Sequence, residues 1–208
     1  MRRIHPAVFA IAGVLALACA KRNVVEVPPR VDLHEFETIG IIQFESASKG
    51  NLAAFSTQRF IESLQESQPG VRVLELGRAS EVEGIDSKGR IDYEAVKKIG
   101  DKYDVDALVL GDLVVKDVRP RVDILQTITT MSVAADVDAG LTVRLLETGR
   151  GATVWTRSTN ATRTVAQVGL SGKTVHFDAQ HPEQAYGELV NALVYDITYD
   201  FRPSYVRE

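Results

Sequence analysis

The sequence predicts an α/β (α+β) fold in which a mixed β-sheet is flanked by helices. Three observations lead to this prediction: two strand–helix pairs followed by a third strand, a β-rich stretch after them, and an amphipathic segment near the C-terminus. The expected order is therefore βαβαβ, then an antiparallel hairpin, then a C-terminal helix.

The first half alternates between short apolar runs and segments with helical periodicity. Asn51 is the expected N-cap of a first helix that ends before Pro69, and Asp92 is the expected N-cap of a second helix that reaches Tyr103. The predicted strands are 38–44, 71–76 and a third from 107 towards 120.

The second half is rich in Thr, Val and Ile, which favours strands. We expect strands at 123–131, 133–147 and 153–163, with a turn at 148–151 and with Trp155 in the core. Pro182 is expected to open the last helix. The apolar positions of this helix keep the i, i+3, i+4, i+7 spacing: Tyr186, Leu189, Val190, Leu193, Val194 and Ile197.

The N-terminal segment has the layout of a secretory signal peptide. Arg2 and Arg3 precede an apolar stretch of 12 residues at 7–18, which is too short to span a bilayer. Cys19, the single cysteine of the chain, follows directly. A thiol without a partner cannot form an internal disulfide, so lipid attachment is its most economical use.

The residues Leu15-Ala16-Leu17-Ala18-Cys19 resemble the lipobox of bacterial lipoproteins, although Ala16 stands where that motif usually has Leu. The resemblance implies that Cys19 becomes the first residue of the mature chain and carries acyl groups on its sulfur and nitrogen. Ala20 stands where an Asp would resemble the signal for retention in the inner membrane, so the resemblance favours the periplasmic face of the outer membrane. The alternative is an ordinary signal peptide cut at Ala18 or Ala20.

The predicted organisation has three parts: a lipoprotein signal peptide at 1–18, a lipidated extended tether at 19–33, and a single periplasmic domain at 34–208. Pro28-Pro29 favours extended geometry in the tether. The alternative for part of this segment is an edge strand at Val24–Val27.

The charge of the mature chain weighs against nucleic acid as a partner. Removing 1–18 lowers Lys+Arg from 24 to 22 while Asp+Glu stays at 28, which gives a charge of about −6.

No pattern of residues predicts catalysis or a cofactor. Gly172-Lys173-Thr174 is similar to the end of a phosphate-binding loop, but Gln167 stands where the first glycine should be, and 175–177 is expected to be extended. His176, Asp178 and His181 could act as metal ligands. Two histidines in a polar loop, however, are more often exposed to solvent. The sequence therefore predicts that the protein is not an enzyme and holds no metal.

Two further patterns each allow two interpretations. Asp136 and Asp138 point to one face of a strand, where they form either a hydrolase pair or, as favoured, two solvated carboxylates. Asn160-Ala161-Thr162 spells a glycosylation sequon, which a bacterial lipoprotein would rarely use.

Four segments together resemble the lipoprotein superfamily of curli secretion and peptidoglycan-synthase activation. The resemblance covers roughly 27–203 and implies a mixed sheet flanked by helices, with members that bind envelope proteins or assemble into rings and are not enzymes. A membrane pore is not favoured, because the threonines at 127–130 and the acidic residues at 136 and 138 break the alternation that a spanning hairpin needs. The segments that carry the resemblance are Val27–Leu33, Ile39–Phe44, Tyr103–Gly111 and Leu141–Trp155.

The expected function is that of a lipid-anchored periplasmic lipoprotein that acts as a protein-binding, assembly or regulatory factor of the cell envelope. Its partners would be an unidentified envelope protein and the membrane, with self-association left open. The alternative is a subunit of an oligomeric secretion or transport complex of the outer membrane.

Overall fold

A computed structural model describes residues 24–83, 92–121, 133–171 and 174–207 and confirms the predicted α+β class. No helix within these ranges is both long and apolar enough to cross a membrane. The elements are β1 Val24–Val27, β2 Ile39–Ile41, β3 Lys49–Gly50, α1 Leu52–Ser67, β4 Val73–Glu75, α2 Tyr93–Tyr103, β5 Ala107–Pro120, β6 Val133–Glu147, β7 Ala152–Ser171, β8 Thr174–Phe177, α3 Pro182–Ile197 and β9 Ser204–Arg207.

The main sheet has seven strands in the order β3-β8-β7-β6-β5-β2-β4. β2 pairs in parallel with both β4 and β5, whereas β5, β6, β7 and β8 are antiparallel neighbours. The sheet is therefore mixed, as predicted. β3 adds a short parallel pairing to β8 at one edge.

In the β-rich half, β6 has the predicted bounds and β7 is longer than the sequence predicts. β7 runs on to Ser171, eight residues beyond the expected end at 163, because β6 and then β8 supply hydrogen-bonding partners along it. The register of β6 and β7 shifts where Leu145 pairs with Trp155 and Leu146 with Thr153, so Val154 forms a β-bulge. The strand predicted at 123–131 lies outside the described residues.

The helices lie on opposite faces of the sheet. Alternate residues of β5 divide between two apolar clusters: Val109 packs in the larger one with α1 and α3, and Leu108 packs in the smaller one with Val96 and Ile99 of α2. All six apolar positions predicted for the last helix are buried. The larger cluster is therefore the main core of the domain.

The two predicted helix caps have different outcomes. Asp92 is confirmed as the cap of α2, because its carboxylate accepts the backbone N–H of Ala95 at 2.7 Å. Asn51 occupies the N-cap position of α1 but makes no capping hydrogen bond. Its amide instead donates to the carbonyl of Ala179 at 3.1 Å, and its oxygen accepts from the hydroxyl of Tyr186. The side chain of Asn51 therefore bonds to residues distant in sequence and not to the first turn of α1.

The edge strand that is the alternative to a tether at Val24–Val27 is present as β1. It pairs antiparallel with β9 in a separate two-stranded ribbon. The backbone N–H of Val31 also donates to the carbonyl of Asp200 at 3.1 Å, and Leu33 is fully buried. Within residues 24–33, the ribbon strand is therefore bound to β9, and Val31 and Leu33 are held on the domain by hydrogen bonds and burial.

Candidate functional site

Gln68 fastens the N-terminal segment to the domain. This side chain is 3% exposed and follows the end of α1. Its oxygen accepts the N–H of Leu33 at 2.7 Å, and its amide donates to the carbonyls of Val31 at 2.7 Å and Phe201 at 3.0 Å. Because these buried backbone groups would otherwise lack partners, one amide side chain fixes where the chain enters the domain.

Asp200 is the second residue that connects the N-terminal segment to the domain. Its Oδ2 accepts from Nε1 of Trp155 at 3.2 Å and from Nη1 of Arg157 at 2.9 Å, and its Oδ1 lies 3.6 Å from the guanidinium of Arg30. Burial alone would raise the pKa of Asp200, but the hydrogen bonds from Trp155 and Arg157 and the charges of Arg157 and Arg30 lower it below its ordinary value. The carboxylate is therefore charged at neutral pH and orders two arginines.

Exposed apolar side chains concentrate at the end of the domain that carries the ribbon. Of ten large apolar or aromatic side chains exposed in the described part of the chain, six lie on the ribbon or on α3 and the turn that follows it. These six are Val25, Val27, Tyr195, Tyr199, Tyr205 and Val206.

Two arginines stack on two of these tyrosines. The guanidinium of Arg202 lies 3.9 Å from the ring centre of Tyr195, and that of Arg157 lies 5.2 Å from the ring centre of Tyr199. We call the surface formed by Tyr195, Tyr199, Tyr205, Arg157 and Arg202 the tyrosine–arginine surface.

A second surface lies on the sheet face that α1 and α3 do not cover. α2 packs only on the beginning of β5 and the end of β6, so the face of β5, β6 and β7 beyond it is open. Thr142 and Ser158 are hydrogen-bonded across this face at 2.9 Å, and Lys116 donates to Asn160. Its exposed positions on β7, which we call the open sheet face, are Thr156, Ser158, Asn160, Thr162 and Thr164.

Asp136 does not have the environment of a general acid. Its carboxylate accepts from Thr164 Oγ1 at 2.8 Å and from Arg121 Nε at 3.0 Å. These hydrogen bonds and the charge of Arg121 lower the pKa of Asp136. A general acid requires a raised pKa, so the environment of Asp136 does not favour that role.

His176 lies in β8, and Asp178 and His181 lie in the connection from β8 to α3. His176 Nδ1 lies 3.9 Å from Asp178 Oδ2, and the described residues contain no group of three His, Cys, Asp or Glu side chains placed to hold a metal. Cys19, Gly172 and Lys173 lie outside the described residues.

Trp155 is half-buried, and its ring centre lies 4.6 Å from that of Phe201.

Asn160 of the sequon is exposed on the open sheet face.

Sequence reasoning missed Gln68 and Asp200. Both are polar residues at helix ends, where a solvent-exposed side chain is the usual expectation. The only signal in the sequence is their place among apolar residues, between Leu64 and Val71 for Gln68 and between Ile197 and Phe201 for Asp200.

A scan of protein-family models finds no match to this chain, and a search of curated proteins finds none either. Solved structures are similar at low identity. The PelC dodecamer from Paraburkholderia phytofirmans is 11% identical, with 86% of this chain and 96% of that chain covered and a TM-score of 0.48.

Two lipoprotein structures are also similar. Lipoprotein GNA1162 from Neisseria meningitidis is 16% identical over 77% of this chain and 97% of that chain, with a TM-score of 0.39. The LpoB C-terminal domain from Escherichia coli is 10% identical over 61% and 83%, with a TM-score of 0.37. At these identities and TM-scores we transfer no function from the three proteins to this chain.

Proposed function

We propose that this protein is a lipid-anchored lipoprotein on the periplasmic face of the outer membrane, and that its domain binds another envelope protein as an assembly or regulatory factor without catalysis. The observation that carries the proposal is Cys19, the single cysteine, directly after an apolar segment and a small residue. The first described strand begins five residues later.

Acylation of Cys19 supplies a firm membrane attachment. Each buried methylene contributes about 0.8 kcal/mol, and a single acyl chain binds only marginally. Two or three chains on one residue exceed the requirement for stable anchoring. The domain then acts at a fixed distance from the bilayer, which suits a binding protein that works on other envelope components.

The open sheet face is the surface that we assign to the protein partner. Its side chains on β7 are short and polar, so they lose little conformational entropy when a partner orders them. Several are already held by cross-strand hydrogen bonds, as between Thr142 and Ser158. Val114 adds one exposed apolar side chain to this otherwise polar face.

Metabolic labelling with an alkyne fatty acid tests the anchor. The wild-type protein should incorporate label and fractionate with the outer membrane, whereas Cys19→Ser should lose both. Ala20→Ser is the matched control and should keep the label, because the acceptor thiol is retained. Label on the Cys19→Ser protein would refute the assignment of Cys19.

Site-specific photocrosslinking in cells tests the partner face. A photoreactive residue at Ser158 should capture one envelope protein reproducibly, and the same residue at Gln184 on the exposed side of α3 should not. Ser158→Arg should reduce co-purification of that protein at unchanged abundance of the lipoprotein. Equal capture from both positions, or none, contradicts the proposal, and rings in electron micrographs of detergent-extracted protein would favour the oligomeric alternative.

A further inference from the structure

We infer that the tyrosine–arginine surface rests on the phospholipid headgroups of the leaflet that holds the lipid anchor. This inference depends on the proposed acylation of Cys19 and adds the orientation of the domain. The occupant is the bilayer surface itself, recognised by its phosphates and by the boundary between polar and apolar layers.

The length of chain before the ribbon limits how far the domain can stand from the membrane. Four residues lie between Cys19 and Val24, and the five residue steps from one to the other span at most about 18 Å when fully extended. A free tether up to Leu33 would reach about 50 Å. The ribbon and the contacts of Gln68 and Asp200 shorten this reach, because they bind β1 to β9 and hold Val31 and Leu33 on the domain.

The side chains at this end suit the headgroup layer. Tyrosine has an apolar ring and a polar hydroxyl and is enriched where membranes meet water. Tyr195, Tyr199 and Tyr205 are each more than half exposed. Val25 and Val206, which pair with each other on the other face of the ribbon from Tyr205, are exposed as well. By contrast, the open sheet face has polar side chains and suits contact with a hydrated protein.

The charges at this end favour phosphate. Three arginines lie at this end among the described residues: Arg30 contacts Asp200, and Arg157 and Arg202 stack on tyrosines. Guanidinium groups donate two parallel hydrogen bonds to a phosphate.

The charge of Asp200 is paired with two of these arginines. Asp200 is buried against Arg30 and Arg157, so its charge is neutralised locally. Glu26 and Asp196 are exposed acidic side chains at the same end. The guanidinium of Arg30 is 78% exposed and is therefore open to a phosphate.

A fluorescence-quenching experiment on the full acylated chain tests the orientation. The acylated Cys19 has no free thiol, so a second cysteine can be labelled selectively. We would place a fluorophore at Val206→Cys on the ribbon, which leaves every tyrosine and arginine in place, and at Gln184→Cys near the other end of α3. Gln184 lies about 22 Å from Tyr199 along the helix.

Nanodiscs with one protein each, made of phosphatidylcholine and phosphatidylglycerol with a nitroxide on a fraction of the headgroups, provide the quencher. We expect at least threefold stronger quenching at position 206 than at 184. The combined Tyr195→Ser, Tyr199→Ser and Arg202→Gln changes should reduce quenching at 206, whereas Tyr93→Ser, an exposed tyrosine on α2, should not.

The outcomes separate the two proposals. An intact mass without acyl groups overturns both the lipoprotein assignment and this orientation. An acylated protein with equal quenching at 206 and 184, or with stronger quenching at 184, overturns the orientation alone. Quenching at 206 that is unchanged by the combined tyrosine and arginine changes also overturns it, because the anchor by itself would then account for the proximity.

Discussion

Trp155 donates its indole N–H to Asp200 Oδ2 at 3.2 Å and thereby connects the beginning of β7 to the turn after α3. The same oxygen accepts from Arg157 at 2.9 Å. Trp155 is the only tryptophan of the chain, so its fluorescence reports on this contact. Because Asp200 also contacts Arg30 of the N-terminal segment, the fluorescence of Trp155 reports on how this segment is held.

Replacing Asp200 should destabilise the domain. Asp200→Ala removes the acceptor of two donors, and hydrogen bonds to a charged group contribute about 1.5–3 kcal/mol each. We expect the free energy of unfolding, measured by urea denaturation with Trp155 fluorescence, to fall by about 2–3 kcal/mol. Asp196→Ala, on the exposed side of α3, should change it by less than about 0.5 kcal/mol. A loss at Asp196 as large as at Asp200 would contradict this reasoning.

The contribution of Asp200 should disappear in acid. Its pKa is lowered in the folded state from the ordinary value of 3.8, so its stabilisation is fully present above that value. It is lost as the pH falls through the lower folded pKa. The difference in unfolding free energy between wild type and Asp200→Asn should therefore be constant from pH 7 to 5 and shrink below about pH 4. A difference that grows in acid would have the wrong sign.

Gln68→Leu should release the N-terminal segment. The substitution keeps the size of the side chain but leaves buried backbone groups without partners, each costing about 1–3 kcal/mol. Hydrogen exchange should quicken at Leu33, whose N–H bonds to Gln68, while exchange in β6 keeps its wild-type rate. Gln58→Leu, on the exposed side of α1, is the matched control. Unchanged exchange at Leu33 would show that Gln68 does not hold the segment.

Tyr186 should titrate well above the ordinary pKa of a tyrosine. Burial and the charge of Asp178 raise the pKa of Tyr186 to about 12. Because the folded pKa lies above the ordinary value of 10.0, its stabilisation is present below pH 10 and is lost as the pH rises towards 12. Ultraviolet titration should show this late ionisation, and Tyr186→Phe should remove it. Its presence in the Phe variant would assign it to another tyrosine.

Gly111→Ala should strain the core. A Cβ at Gly111 would lie 2.2 Å from Cδ1 of Phe44, whose buried ring packs on Phe60 at 5.3 Å between ring centres. Overpacking of this kind costs about 1–3 kcal/mol, which thermal unfolding would detect. Gly149→Ala is the control, because its Cβ would meet only Glu147 Oε1 at 3.9 Å. An equal loss for both variants would rule out the ring contact as the cause.

The sequence predicts those elements whose signal is local. The spacing of Leu189, Leu193 and Ile197 places one face of α3 in the core without reference to any other part of the chain. The full length of β7 is not local, because its last residues are ordered by pairing with β8. Short strands such as β3 exist only where a partner lies beside them.

The candidate site escaped prediction for the same reason. Gln68 bonds to Leu33 and Phe201, and Asp200 contacts Arg30, all far away in the sequence. The sequence predicts that Asn51 caps its own helix, but its side chain forms hydrogen bonds with Ala179 and Tyr186. Propensity and periodicity depend on residues close in sequence. They therefore do not predict hydrogen bonds between polar groups of distant segments.

The pairing of β1 with β9 sets the order in which the chain becomes ordered. Val24 pairs with Arg207, almost the full length of the described chain away, so β1 has no partner strand until the last residues are available. Closing so long a loop is entropically costly and follows the formation of more local contacts. A polypeptide that stops before Ser204 leaves β1 unpaired. The position of residues 24–27 is thus settled late in folding, after the main sheet has formed.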